Sequence, residues 1–144
     1  MEITAKLSLI IGGAIAFLTA IAHTSCIFLG PECFEAQMAP LELVESAKQG
    51  TWLAPISTLI ISSLFGLCGL YALSGAKMIK KVPLTHFALA IIAALCVIRG
   101  FSTIPLSLIF PEMVSQFSIF AGVIWFLVGL LYAYGFKHYR KNNS

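Results

Sequence analysis

One arginine lies in a stretch of the chain that is otherwise suited to hydrocarbon. Arg99 is the only Asp, Glu, Lys or Arg between Leu84 and Phe110. A charged side chain at the centre of a membrane costs about 2.5 to 3.5 kcal/mol, and such residues normally face a bundle interior and pair with another group. The donors of a guanidinium form a planar fork that matches carboxylate and phosphate. Arg99 is therefore the first candidate for a residue that binds an anionic group.

Further polar residues are expected to lie near Arg99, towards one end of the apolar segments. They come from all four segments and from the loop after the first one: His23, Thr58, Thr103, Glu112, Glu32 and Glu35. In an up-down bundle these side chains converge on one outward-facing pocket. Two interpretations of Arg99 remain open. It either pairs with one of the three glutamates and holds the loop on the bundle, or it binds the anionic group of a lipid or small solute. His23 would be a pH-sensitive neighbour.

The elements that position these residues are long apolar segments. The chain has 144 residues, of which 59% are hydrophobic and 10% charged. Residues 7–31, 49–76, 82–98 and 113–136 carry no Asp, Glu, Lys or Arg. A membrane-spanning helix needs about 20 mostly apolar residues. We therefore predict an all-α, four-helix transmembrane bundle with helices at about 7–29, 52–75, 83–106 and 113–136, which form a single domain over residues 1–144.

The charges predict the orientation of these helices. Basic residues cluster at the N-terminus, in the second loop and in the C-terminal tail, whereas the first and third loops are mainly acidic. Because Lys and Arg near helix ends remain cytoplasmic, both termini are predicted to be inside. The expected location is a bacterial inner membrane. The basic residues follow topology and form no recognition surface, so nucleic acid is not an expected partner.

The first outer loop is predicted to carry a short amphipathic helix. It begins after Pro40, which is favoured at the first helical position, runs to about residue 48 and stops at Gly50. Leu41, Val44 and Ala47 share one face of this helix, and glutamates share another. We expect the helix to cap the bundle, because its glutamates would be repelled by an anionic leaflet.

The cysteines offer one covalent link and no clear cofactor site. Cys26 and Cys33 lie close in sequence on the outer side, where a disulfide is possible. Together with His23 and Met38 they have the ligand chemistry of copper(I), but their spacing is irregular and we predict no metal and no other cofactor. The membrane enzymes that form disulfides with quinone need a Cys-x-x-Cys pair, and small four-helix multidrug transporters need a glutamate in the first helix. This chain has neither.

Several short motifs resemble those of one group of proteins. They are His23-Thr-Ser-Cys-Ile-Phe-Leu-Gly-Pro31, Ala39-Pro40, Leu70-Tyr-Ala-Leu-Ser-Gly-Ala76 and Val97-Ile-Arg-Gly100. In these motifs the chain is similar to small four-span inner-membrane proteins of Gram-negative bacteria that have no assigned activity. The resemblance implies a four-helix membrane fold and a functional Arg99, and it implies no reaction.

Two functions remain open. The first is a small membrane protein whose outward-facing polar pocket binds or transports a lipid, fatty acid or small anion. The second is a structural or accessory subunit that packs through its small residues in a homo-oligomer or against a partner membrane protein. An enzyme is less favoured, because no nucleophile–base pair with an orienting third group is recognisable.

Overall fold

The computed structural model describes residues 2–109 and 115–141. Within these ranges the chain is entirely helical and contains no strand. The six helices are α1 (Ile3–Leu29), α2 (Pro31–Ala36), α3 (Leu41–Gln49), α4 (Leu53–Gly75), α5 (Thr85–Ile109) and α6 (Gln116–Lys141). The prediction of an all-α chain is confirmed.

Four of these helices, α1, α4, α5 and α6, are long and apolar enough to cross a membrane. This agrees with a multi-pass membrane protein. Their ends differ from the predicted ones because the absence of charge marks the apolar part of a helix, whereas the hydrogen-bond ladder continues into charged flanks. Thus α1 begins at Ile3 and α6 continues to Lys141. Helix α5 also continues past Pro105, which removes only one backbone donor and is tolerated in apolar helices.

The chain divides into two compact units, residues 1–15 with 68–144 and residues 16–67. The core of the first unit is apolar and is drawn from several helices. Its fully buried side chains include Leu9, Leu89, Val128 and Tyr132. The Tyr132 hydroxyl donates a hydrogen bond to the carbonyl oxygen of Cys68, 2.9 Å away. The one polar atom of this large side chain is therefore satisfied inside the core.

Helices α5 and α6 of the first unit pack at backbone distance through glycines. A Cβ placed on Gly129 would lie 2.7 Å from the backbone nitrogen of Val97, and one on Gly100 would meet the backbone of Phe126 at 2.7 Å. At Gly122, a Cβ would collide with the side chain of Thr103. Small residues at such positions allow close helix packing in membranes, where apolar burial drives association little.

Two buried hydroxyl groups form hydrogen bonds that stabilise the connection between α4 and α5. Ser74 and Thr85 are both buried, and their hydroxyl oxygens lie 2.9 Å apart. The Ser74 hydroxyl also accepts the backbone N–H of Val82 at 2.9 Å, and the Thr85 hydroxyl donates to the carbonyl of Val82 at 2.6 Å. These bonds satisfy both backbone polar groups of Val82, which lies between the two helices.

The second unit, residues 16–67, has its own small core. It is formed by Cys26, Phe34, Val44 and Ala54. Helix α3 ends at Gly50, which adopts the left-handed conformation at φ 65°. This conformation favours glycine, which has no Cβ to clash with the backbone. Gly50 can therefore end the short helix where the sequence predicts.

The glycine contacts between α5 and α6 predict the effect of a single methyl group. We expect Gly129→Ala to destabilise the protein by about 1 to 3 kcal/mol, because the new methyl group forces two backbones apart. Gly66→Ala is the matched control, since a Cβ there meets nothing within 4 Å. We expect it to be neutral or slightly stabilising, because alanine is the better helix former. Unfolding in mild detergent measures both variants, and equal stability of the two would contradict the proposed role of Gly129.

Candidate functional site: a capped cavity in residues 16–67

A disulfide fixes α2 to the end of α1. It joins Cys26, which is 1% exposed, to Cys33, with a Cα–Cα distance of 5.1 Å. Gly30 and Pro31 reverse the chain between them: Gly30 has a φ of 86°, and Pro31 begins α2, where a missing backbone N–H is harmless. The covalent link therefore closes a tight turn that packs Phe34 into the small core.

Gln37 adds a polar contact beneath this turn. Its side-chain nitrogen donates to the carbonyl oxygen of Ala22 at 3.0 Å and approaches the sulfur of Cys26 at 2.9 Å. Sequence reasoning did not single out Gln37. The signal was its position four residues after Cys33, which places both on one face of a helical turn.

Helix α3 is attached to α4 by one buried serine. The hydroxyl of Ser46 accepts the backbone N–H of Ala54 at 2.9 Å and lies 2.7 Å from the hydroxyl of Thr51. An otherwise unpaired donor in the first turn of α4 is thereby satisfied. We call α2, α3 and their connections, residues 30–50, the cap.

An ion pair joins the two helices of the cap. The Lys48 ammonium lies 2.8 Å from a carboxylate oxygen of Glu35. The hydrogen bond to Glu35 and the charge of that carboxylate raise the pKa of Lys48 above its ordinary value. Both side chains are about half exposed, so solvent screening leaves the pair little effect on stability.

Two cavities lie against the cap within the second unit. The larger, of about 290 Å³, is lined by the turn after α1 and the start of α4, including Gly30, Trp52 and Pro55. The smaller, of about 180 Å³, is lined by residues of α1, α4 and the segment between α2 and α3: His23, Cys26, Phe34, Gln37, Met38, Ala39, Pro40, Leu43, Thr58 and Ile61. Cys26 and Phe34 line both cavities.

His23 and Thr58, both predicted site residues, line the smaller cavity. The Nδ1 atom of His23 donates to the carbonyl oxygen of Thr19 at 2.9 Å, which leaves Nε2 as the ring's other polar atom. The His23 ring also packs against Phe65, with ring centroids 5.2 Å apart. The Thr58 hydroxyl donates to the carbonyl oxygen of Ala54 at 2.7 Å.

Arg99 and Thr103 lie one turn apart on α5 and belong to the first unit. Arg99 is exposed, and its Nη1 donates to the hydroxyl oxygen of Thr103 at 3.4 Å. The Thr103 hydroxyl donates in turn to the carbonyl oxygen of Arg99 at 3.2 Å. Among the described residues of the first unit, no carboxylate oxygen lies within 4 Å of the guanidinium.

The predicted glutamates have separate positions. Glu32 and Glu35 are exposed on α2, and Glu35 is engaged by Lys48. Glu112 lies outside the described residues. The convergence of Arg99 with His23, Thr58 and the glutamates on one pocket stays a prediction.

The polar side chains that line the smaller cavity come from His23, Gln37 and Thr58. Its polar groups are an imidazole, an amide and a hydroxyl, and Cys26 is held in the disulfide. Over residues 2–109 and 115–141, no three His, Cys, Asp or Glu side chains gather as a metal site.

Comparison with known proteins finds no matching protein family, no similar curated protein and no similar solved structure.

Removal of the disulfide is expected to destabilise the cap locally. Closing a loop over a seven-residue separation is worth about 2.5 kcal/mol by chain entropy. We expect Cys33→Ser to speed amide hydrogen exchange in α2 and α3 while exchange in α5 and α6 stays unchanged. Cys68→Ser, which removes a free thiol, is the control and should leave the cap protected. Equal protection of the cap in wild type and Cys33→Ser would mean that the disulfide does not hold it.

Proposed function

We propose that this chain is a four-span membrane protein whose capped cavity binds the apolar part of a lipid or fatty acid on the outer side of the membrane. The observation that carries this proposal is the pair of cavities held against a disulfide-closed cap. Small-molecule sites are typically concave and mostly apolar, with a few placed polar groups. The lining of the smaller cavity, in which His23, Gln37 and Thr58 interrupt apolar side chains, fits that description.

The lining also favours a lipid over a small anion. Neither cavity is lined by Asp, Glu, Lys or Arg, so a desolvated anion would find no fixed opposite charge there. The cap's one lysine is already paired with Glu35. A hydrocarbon chain, in contrast, gains from the removal of its surface from water without requiring a polar partner.

The orientation proposed from the charges places the cap outside and both termini inside. The basic flanks agree, since Lys80 and Lys81 precede α5 and Arg140 and Lys141 end α6. A disulfide in the cap is compatible with this side, because an oxidising compartment keeps such bonds intact.

Reporter fusions test the orientation. A green fluorescent protein fused after Lys81 or at the C-terminus is expected to fluoresce, because that reporter folds in the cytoplasm. Alkaline phosphatase fused after Gln49 is expected to be active, because it needs an oxidising compartment for its disulfides. The reverse activities at these positions would show that the cap lies inside.

A substitution that fills the smaller cavity tests the proposed binding. Native mass spectrometry of protein released gently from the membrane is expected to show a retained lipid adduct. Ala39→Phe should remove the adduct, because Ala39 lines the cavity and the larger ring occupies its volume. Ala36→Phe is the matched control, since Ala36 is exposed on α2 and lines neither cavity. An adduct that survives Ala39→Phe, or a wild-type protein without any adduct, would contradict the proposal.

Arg99 favours a second candidate function, that of an accessory subunit. Its guanidinium is exposed on an apolar helix and its described hydrogen bond goes to its own helix. A carboxylate from a partner helix or an acidic lipid headgroup would complete such a site. The same mass spectrum separates the two: a second protein or a bare oligomer supports the subunit, and a bound lipid that is lost in Ala39→Phe supports the cavity.

A further inference from the structure

The two cavities of the second unit adjoin each other. Cys26 and Phe34 line both of them, and these two residues are 1% and 6% exposed. Because the same buried residues contact both spaces, a ligand in the larger cavity lies next to the smaller one. The two cavities can therefore be considered together as one elongated site.

The cavities lie at different depths along the helices. On α1 the larger cavity is lined by Ile27, near the cap-side end of the helix, and the smaller by His23, one turn further from the cap. On α4 the lining runs from Ala54 in the larger cavity to Ile61 in the smaller one. The helical rise over this distance is about 10 Å. This is most of the hydrocarbon depth of one leaflet, which is roughly 15 Å.

The larger cavity reaches the protein surface at Trp52. This residue lines the cavity, is 78% exposed and immediately precedes α4, one of the four helices that are long and apolar enough to cross a membrane. Tryptophan is favoured at the membrane boundary, because its ring is apolar and its N–H is polar. The mouth of the larger cavity therefore lies at the level where phospholipid headgroups meet their acyl chains.

The smaller cavity offers no charge to a headgroup. Neither cavity is lined by Asp, Glu, Lys or Arg. The polar side chains of the smaller one, His23, Gln37 and Thr58, each donate a hydrogen bond to a backbone carbonyl of the same unit. A phosphate would be desolvated there without an opposite charge, whereas a hydrocarbon chain needs no polar partner. The polar end of a lipid therefore belongs at the mouth.

We infer that one acyl chain of a membrane phospholipid occupies both cavities in order, with its headgroup outside the mouth at Trp52 and its methyl end in the smaller cavity. This inference rests on the proposed function and specifies its ligand, because it names the lipid class and the direction of the chain. The direction is that of the lipids in the leaflet on the cap side, so the chain enters without turning over. The cavities, of about 290 and 180 Å³, provide space for a chain while the headgroup stays in water.

Quenching of Trp52 fluorescence tests the inference. Trp125→Phe leaves Trp52 as the only tryptophan of the chain. The full chain in mild detergent is then titrated with a long-chain phosphatidylcholine that carries bromine near the headgroup end of one acyl chain. We expect saturable quenching. Ala39→Phe should weaken this binding about tenfold, although Ala39 lines only the smaller cavity, because the methyl end loses its space. Ala36→Phe is the matched control, since Ala36 is exposed and lines neither cavity.

A short-chain phosphatidylcholine with bromine at the same place separates this effect from damage to the cap. Its chain reaches only the larger cavity, so its saturable quenching of Trp52 should be equal with and without Ala39→Phe. Ile61→Phe narrows the smaller cavity from α4 instead of from the cap. It should reproduce the loss for the long chain and spare the short one.

The other outcomes overturn the inference in distinguishable ways. Long-chain quenching that is unchanged in both Ala39→Phe and Ile61→Phe would show that the two cavities do not share one chain. Equal losses for the short and the long chain in both variants would remove the evidence for a separate position of the methyl end. Tighter binding of a free fatty acid with bromine at the same place would overturn the phospholipid class. Absence of saturable quenching with every probe overturns the inference, and the proposed function falls with it only if the mass spectrum also shows no adduct.

Discussion

In apolar surroundings a polar side chain needs a hydrogen-bond partner, and the long helices of this protein supply most of these partners from their own preceding turn. His23, Thr58 and Thr103 all bond to a carbonyl four residues earlier. This arrangement lets a helix carry polar residues without recruiting a partner from another element. The Ser62 hydroxyl is an exception, because it is buried and has no hydrogen-bond partner. A buried polar group without a partner lowers the stability of the fold.

The helices could be predicted from sequence because hydrocarbon imposes a minimum length on a charge-free segment. The stop at Gly50 could also be predicted from sequence, since glycine acts through local backbone geometry. The site was harder. His23 and Thr58 were named because polar residues in apolar helices are conspicuous, but Gln37 and Phe34 lie in the cap, a segment whose composition is ordinary. Their roles depend on how the cap folds back against α1 and α4, and no local sequence pattern predicts that.

The two halves of the site are built by different physical means. The walls of the cavity are helices whose side chains pack by shape, whereas the cap is held by a covalent bond, the Ser46 hydrogen bonds and an exposed ion pair. A cap of two short helices has too few apolar contacts to be stable alone. The disulfide compensates by lowering the conformational entropy of the unfolded chain. The cap therefore stays folded over a cavity that side chains do not fill.

The division of the chain into units has a consequence for biosynthesis. Residues 16–67 are contiguous, so all the contacts of the second unit become possible once residue 67 has left the ribosome. Residues 1–15 belong to a unit whose other members are residues 68–144. Leu9 cannot pack into its core until Leu89 and Tyr132 have been synthesised. Local contacts form faster than distant ones. Residues 1–15 are therefore synthesised before the second unit but acquire their core after it.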